Sequence, residues 1–166
     1  LVGMRGAGKS AVGAAVAQHC GFVFVDADAE LETRTGRLIA AIFANDGEAA
    51  FRALELPLLL DLLVLPATLV ATGGGAVLHP AVCALLHEQA AQGRRIIWLR
   101  ASAATLAARI AGSGRPSLTG KPLAEEVAEV LAAREPLYAA VATDVVDTDA
   151  RSVDEVLALL TAMLGA

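Results

Sequence analysis

Near the start of the chain, Gly3-Met4-Arg5-Gly6-Ala7-Gly8-Lys9-Ser10 sets two glycines five residues apart ahead of a Lys-Ser pair. This is the phosphate-cradling P-loop pattern, which calls for a strand before it and a helix after it. Glycines let the backbone wrap a polyphosphate, successive N–H groups form an anion nest, and the helix turns its positive end toward the phosphates. Lys9 then reaches the β/γ-phosphates and the Ser10 hydroxyl reaches Mg²⁺, with Gly6, Ala7, Gly8 and Ala11 completing the nucleotide contacts. The run Gly6 to Ala11 also fits a dinucleotide fingerprint, with Asp26 about twenty residues beyond its start. Gly3 and the Lys-Ser pair separate the two readings, because the dinucleotide site requires neither.

A length of 166 residues suits one domain with a full core. Hydrophobic residues make up 56% of the chain, yet charges and prolines break every apolar run before the roughly eighteen residues a membrane span needs, so no membrane partner is expected. A net charge of −5 argues against a nucleic-acid footprint. Anion binding must then rest on individually placed side chains, and eleven of the thirteen basic residues are arginine. Cys20 and Cys83 show neither CxxC spacing nor a disulfide framework, which suits a reducing cytoplasm, and both read as small core hydrophobes. His19, His79 and His87 have no metal-ligand spacing with them and read as surface or helix-end residues. The chain opens on Leu1-Val2 without a Met, which reads as the second half of a first strand, and no signal peptide precedes the motif.

After the helix from Ser10 to His19, Phe22-Val23-Phe24-Val25 is a second strand, apolar throughout as in a parallel sheet. Asp26-Ala27-Asp28 ends it, and alternation along an extended chain points both carboxylates the same way, at the strand end where open α/β sheets bind ligands. The alternative is that Asp28 caps the next helix while Asp26 is solvated. Short helices follow to Phe43, and Gly47 opens a longer one, Glu48 to about Val64. In it Arg52 shares a face with Glu48 and Glu55, so an intrahelical ion pair competes with a ligand role. The third strand, Ala67–Ala71, runs into Thr72-Gly73-Gly74-Gly75, either a bare backbone against which a ligand can lie or a tight turn.

A helix from His79 to Ala91 and a fourth strand, Arg95–Leu99, come next, with Trp98 read as packing. Ser102 caps a helix to about Ala111 carrying Arg109, which is either a nucleotide contact or a surface charge. Residues 111–121 hold three glycines, a proline and the cations Arg115 and Lys121, the composition of a phosphate-closing lid or of a passive connector. Leu123 to Tyr138 is a helix that Pro136 bends near Arg134. Thr143–Asp147 is the last strand, and Ser152 caps a final helix, Val153 to Leu164. Strands alternating with helices make an α/β three-layer sandwich on a parallel sheet.

Taken together these motifs resemble the shikimate kinase family, small P-loop NTPase-type kinases akin to nucleoside monophosphate kinases. The resemblance rests on the P-loop, Phe24 to Asp28 with Glu32 downstream, Ile42-Phe43 leading into Gly47-Glu48 and Phe51-Arg52, the triple glycine, Arg115-Pro116, and Arg134 with Pro136-Leu137-Tyr138. It implies a single kinase domain over 1–166 with a five-stranded parallel sheet in the order 2-3-1-4-5. The acceptor-binding region would span about 28–62 and the lid about 111–122. It further implies ATP-dependent phosphorylation of the shikimate 3-hydroxyl by a cytoplasmic monomer. On the matching positions Lys9, Asp28 and Arg115 would be catalytic. Asp28, Arg52, Gly73, Gly74, Gly75 and Arg134 would hold the acceptor, Ser10 and Asp26 the Mg²⁺, and Arg115 and Arg151 would join the P-loop on ATP. The residues alone leave open a kinase for another small acceptor such as gluconate or a nucleoside monophosphate, and a non-catalytic nucleotide-binding module.

Overall fold

The left-handed region of backbone space, which disfavours any Cβ, punctuates the first helix at both ends. Gly8 (φ 98°) caps α1, Lys9–Cys20, and Gly21 (φ 73°) closes it. Within α1, a Cβ at Gly13 would lie 2.3 Å from the Phe24 ring, so the helix rests directly on the first strand, β1, Val23–Asp26. The computed structural model describes residues 1–111 and 121–165.

Parallel pairing supplies the frame. β1 pairs with β2, Thr68–Ala71, in the register Val23 opposite Thr68 to Asp26 opposite Ala71. β3, Ile97–Arg100, pairs with β4, Asp144–Asp147, from Ile97 opposite Asp144. Leu1-Val2 is bonded to both pairs: Thr72 N–H donates to the Leu1 carbonyl at 3.1 Å, Val2 N–H to Ile97 at 2.9 Å, and Leu99 N–H to Val2 at 3.0 Å. Among the described residues the regular ladders are thus two parallel pairs, with Val2 making an isolated parallel bridge to Trp98.

The helices follow the sequence cues closely. They are α2 (Ala27–Thr35), α3 (Ile39–Leu63), α4 (Pro80–Ala91), α5 (Ala103–Ala111), α6 (Leu123–Val141) and α7 (Val153–Leu164), with a 3₁₀ turn at Ala76–Leu78. Gly47 (φ 82°, ψ 175°) breaks α3 into two arms where a new helix is expected from the sequence. Ser152 and Glu155 form a reciprocal capping box on α7. Pro136 does not end α6, which runs three residues beyond the expected Tyr138.

Alternation along the strands feeds two cores. Val70 and Trp98 pack with Ile42, Leu59, Leu86 and Tyr138 on one side. Leu69, Ile97 and Leu99 pack with Val16, Leu106 and Leu160 on the other. Helices therefore cover both faces, the α/β architecture of P-loop NTPases, and Trp98 is core as expected, 3% exposed. Cys20 and Cys83 are free thiols, only half-buried and so less central than expected. No helix among the described residues is long and apolar enough to cross a membrane.

Candidate active site

Positive φ at Gly3 (138°), Gly6 (84°) and Gly8 (98°) curls the loop between Leu1-Val2 and α1. Lys9, 8% exposed, folds back into the curl, donating from Nζ to the carbonyls of Gly3 at 2.7 Å and Met4 at 3.0 Å. Arg5, although it is a charged residue within the loop, is only 12% exposed and ion-paired with Glu126, a fully buried carboxylate on α6. Spacing could not reveal that pair, because 121 residues separate the partners.

The two acids after β1 divide their work differently from the strand-alternation reading. The strand ends at Asp26 and α2 starts at Ala27, so Asp28 stands in the first helical turn. Asp26, rather than Asp28, is the helix cap: its Oδ1 accepts from the N–H of Asp28 at 3.0 Å and of Ala29 at 3.2 Å. Its Oδ2 accepts the Ser10 hydroxyl, so it is not merely solvated.

Each glycine of Gly73-Gly74-Gly75 leaves room for a different neighbour. A Cβ at Gly73 would sit 2.7 Å from Glu55 Oε1 and 2.9 Å from Asp28 Oδ1. At Gly74 it would press on the Arg5 backbone N at 3.1 Å, and at Gly75 on both terminal nitrogens of Arg52, at 2.3 and 2.4 Å. The segment is therefore a close approach of backbone to side chains at Gly73 and Gly75 and to the P-loop backbone at Gly74, not simply a tight turn. The Gly74 carbonyl accepts from Arg134 Nη1 at 3.2 Å and from the Tyr138 hydroxyl at 2.5 Å, which fixes Arg134 on α6 beside the triple glycine. Burial pushes the Tyr138 phenol up to about 12, against the opposing pull of Arg134, so it stays a neutral donor.

Arg52 makes the expected intrahelical pairs, to Glu48 (2.9 Å) and Glu55 (2.5 Å), and still faces a cavity with its guanidinium over Phe51. Burial opposes its charge, but the attraction and hydrogen bonds of Glu55, then of Glu48, outweigh that and hold its pKa above the ordinary value. Glu55 is only 3% exposed, and its Oε2 also meets His79 Nε2 at 3.0 Å. His79 is 12% exposed and stands at the N-cap of α4, so of the two readings, surface or helix end, it is the helix-end one.

Two cavities open on either side of these groups. One, about 400 Å³, is lined by the P-loop from Arg5 to Ala11, by Arg109 and Ile110, and by Thr148, Val153 and Val156. The other, about 840 Å³, is lined by α2, both arms of α3, the triple glycine and Arg134. Five residues belong to both: Arg5, Ser10, Asp26, Asp28 and Gly74. Arg109 lines the first cavity and braces it, donating to the Thr148 carbonyl at 2.7 Å, to Thr148 Oγ1 at 3.0 Å and to the Gly6 carbonyl at 3.4 Å. It is thus no free surface charge. Arg151 is exposed and lines neither cavity, although Thr148 and Val153 on either side of it do. Arg115 and the lid at 112–120 lie outside the described residues.

The shikimate kinase family model matches residues 5–164. The chain belongs to the shikimate kinase family. It is 43% identical over 168 residues to shikimate kinase 2 of Yersinia pestis (strain Pestoides F), covering 97% of this chain and 94% of that protein. It is 44% identical over 151 residues to shikimate kinase 2 of Yersinia enterocolitica, covering 89% and 84%. Among solved structures, shikimate kinase from Acinetobacter baumannii in complex with shikimate superposes with a TM-score of 0.89 at 30% identity, covering 98% of this chain and 89% of that one. Shikimate kinase from Bacteroides thetaiotaomicron gives 0.84 at 26%, covering 99% and 96%.

Nothing local in the sequence signals the burial of Glu55, its contact with His79, or the Glu126 partner of Arg5. The one available signal was Glu55 three residues after Arg52, and spacing alone reads that as an ordinary surface pair.

Proposed function

We infer that this chain is an ATP-dependent shikimate kinase that phosphorylates the 3-hydroxyl of shikimate, giving shikimate 3-phosphate and ADP in aromatic amino-acid biosynthesis. The observation that carries the reading is the junction of the two cavities at Ser10, Asp26, Asp28, Gly74 and Arg5. A donor in the first cavity and an acceptor in the second would meet there. ATP lies along the P-loop from Gly6 to Ala11, its phosphates against the loop N–H groups and Lys9. Arg151 and Arg115 join it, Arg115 on sequence grounds alone.

The acceptor lies against Gly73, Gly74 and Gly75, with the forked donors of Arg52 and Arg134 on its carboxylate. Asp28 orients the 3-hydroxyl and receives its proton as the oxygen attacks the γ-phosphorus; the bond from that phosphorus to the β-bridging oxygen breaks, and ADP leaves. Ser10 Oγ and Asp26 Oδ2 lie together at the junction, hard oxygen donors that suit Mg²⁺ directly or through water. No group of three or more His, Cys, Asp or Glu among the described residues could cage a metal, which fits an ion carried largely by the nucleotide. Mg²⁺ supplies neutralisation of the phosphate charge there.

The reading extends to the whole chain as one cytoplasmic, monomeric kinase domain, with an acceptor region at about 28–62 and a lid at about 111–122. It takes Leu1-Val2 as the middle strand of five in the order 2-3-1-4-5, which the bond from Leu1 N to the Val70 carbonyl of β2 and the bonds of Val2 to β3 support.

The test is ADP release with shikimate, gluconate, nucleoside monophosphates or no acceptor. Stimulation by shikimate alone is expected; stimulation by another acceptor would replace the substrate, and ATP binding without turnover would favour a regulatory module. On the acceptor side, Arg134→Ala should raise KM for shikimate about ten- to a hundredfold, the range for hydrogen bonds to a charged group, with KM for ATP nearly unchanged. Equal changes in both constants would remove Arg134 from the acceptor site.

A further inference from the structure

His79 has no evident task in its own helix. It stands at the N-cap of α4, yet its side chain caps nothing; only its carbonyl serves the helix, accepting from Cys83 N–H at 3.1 Å. It lines neither cavity. Its imidazole nevertheless lies 3.0 Å from Glu55 Oε2, the same oxygen that accepts Arg52 Nη1 at 2.5 Å. A carboxylate only accepts hydrogen bonds, so Nε2 carries the proton.

We propose that His79 is a positioning residue of the acceptor site, holding Glu55 so that Glu55 in turn fixes the Arg52 guanidinium over Gly75. The last torsion of a glutamate is soft and nearly two-fold, so one donor leaves the carboxylate free to swing. Two donors converging on Oε2 remove that freedom. The guanidinium is confined from the other side by Gly75, where even a methyl group would overlap it. Chain geometry keeps His79 in place: Leu78 N–H bonds to the Gly75 carbonyl at 2.9 Å and His79 N–H to Ala76 at 3.2 Å, so one short turn ties the imidazole to the glycine on which Arg52 rests. On its far side Arg52 pairs with Glu48, which is 60% exposed and a looser tether.

The inference rests on shikimate being the acceptor, and His79→Ser and His79→Gln test it separately from that reading. Serine is a good N-cap that favours α4, but it is too short to reach Glu55; glutamine keeps an N–H donor of similar reach. His79→Ser should raise KM for shikimate roughly three- to tenfold, the scale of one lost hydrogen bond, while KM for ATP stays within about twofold. His79→Gln should recover much of the loss. An unchanged KM for shikimate in His79→Ser, equal shifts for both substrates, or a glutamine variant no better than serine would overturn the proposal. Should the parent enzyme release no ADP with shikimate, the functional reading fails instead. Imidazole ¹⁵N shifts would still judge the brace, which requires Nε2–H in the parent; an Nδ1–H majority would overturn it whatever the activity.

Discussion

Lys9→Ala should lower turnover by about 10²–10³-fold or more, the scale on which a preorganised charge at a transition state is worth in a water-poor site. Lys9 is 8% exposed and held by two P-loop carbonyls, so its ammonium is already in position before phosphate arrives. The phosphoryl group spreads negative charge over its oxygens as it transfers, and no other lysine is near enough in sequence or motif to substitute: the only other one is Lys121. The variant also loses a structural partner. Leaving the Gly3 and Met4 carbonyls without their donor costs about 1–3 kcal/mol each if water does not replace it, which a lowered melting temperature would register. Turnover and melting must therefore be measured together, with turnover read well below the melting range. A folded Lys9→Ala enzyme working within tenfold of the parent rate would sink the proposed role of the P-loop lysine.

The second large effect is expected at Asp28. Asp28→Asn keeps the size of the side chain, so its place beside Gly73, where even an added Cβ would come within 2.9 Å of Asp28 Oδ1, is preserved. It removes the capacity to take a proton. General-base catalysis contributes typically 10²–10⁴-fold, so kcat should fall by about that range while KM for ATP holds and KM for shikimate changes little, since the amide can still orient a hydroxyl. A fall in kcat of less than tenfold would leave Asp28 an orienting group only. A large rise in KM for shikimate at constant kcat would make it a binding group.

The ladder of local cues in this chain was legible because each acts over a few residues. Gly3, Gly6 and Gly8 demand positive φ and get it; Ser152 with Glu155 spells a capping box and forms one; Gly47 interrupts a helical pattern and breaks α3. Even so, local reading failed where two local rules compete. Asp26-Ala27-Asp28 reads as the end of a strand or the start of a helix, and the helix wins after one residue, because Asp26 satisfies two N–H groups of α2 at once. Pro136 shows a related limit in the helix boundary: the pattern ends the helix at Tyr138, but α6 runs on to Val141, its last turns packed into the core through Tyr138 and Val141.

By itself, then, the sequence determined the phosphate loop, the alternation of strands and helices, and the family to which the chain belongs. Those follow from backbone conformations and periodicities that neighbouring residues impose on one another. Only the tertiary structure decided which charges meet. Arg5 finds Glu126 across 121 positions, Arg134 finds Gly74 across 60, and His79 finds Glu55 across 24. Such pairs form because the layers of the sandwich bring distant elements together and burial penalises any charge left without a partner. The junction of the two cavities has the same origin: Ser10, Asp28 and Gly74 lie on three separate turns, and only the packing of those turns around the sheet makes one site of them.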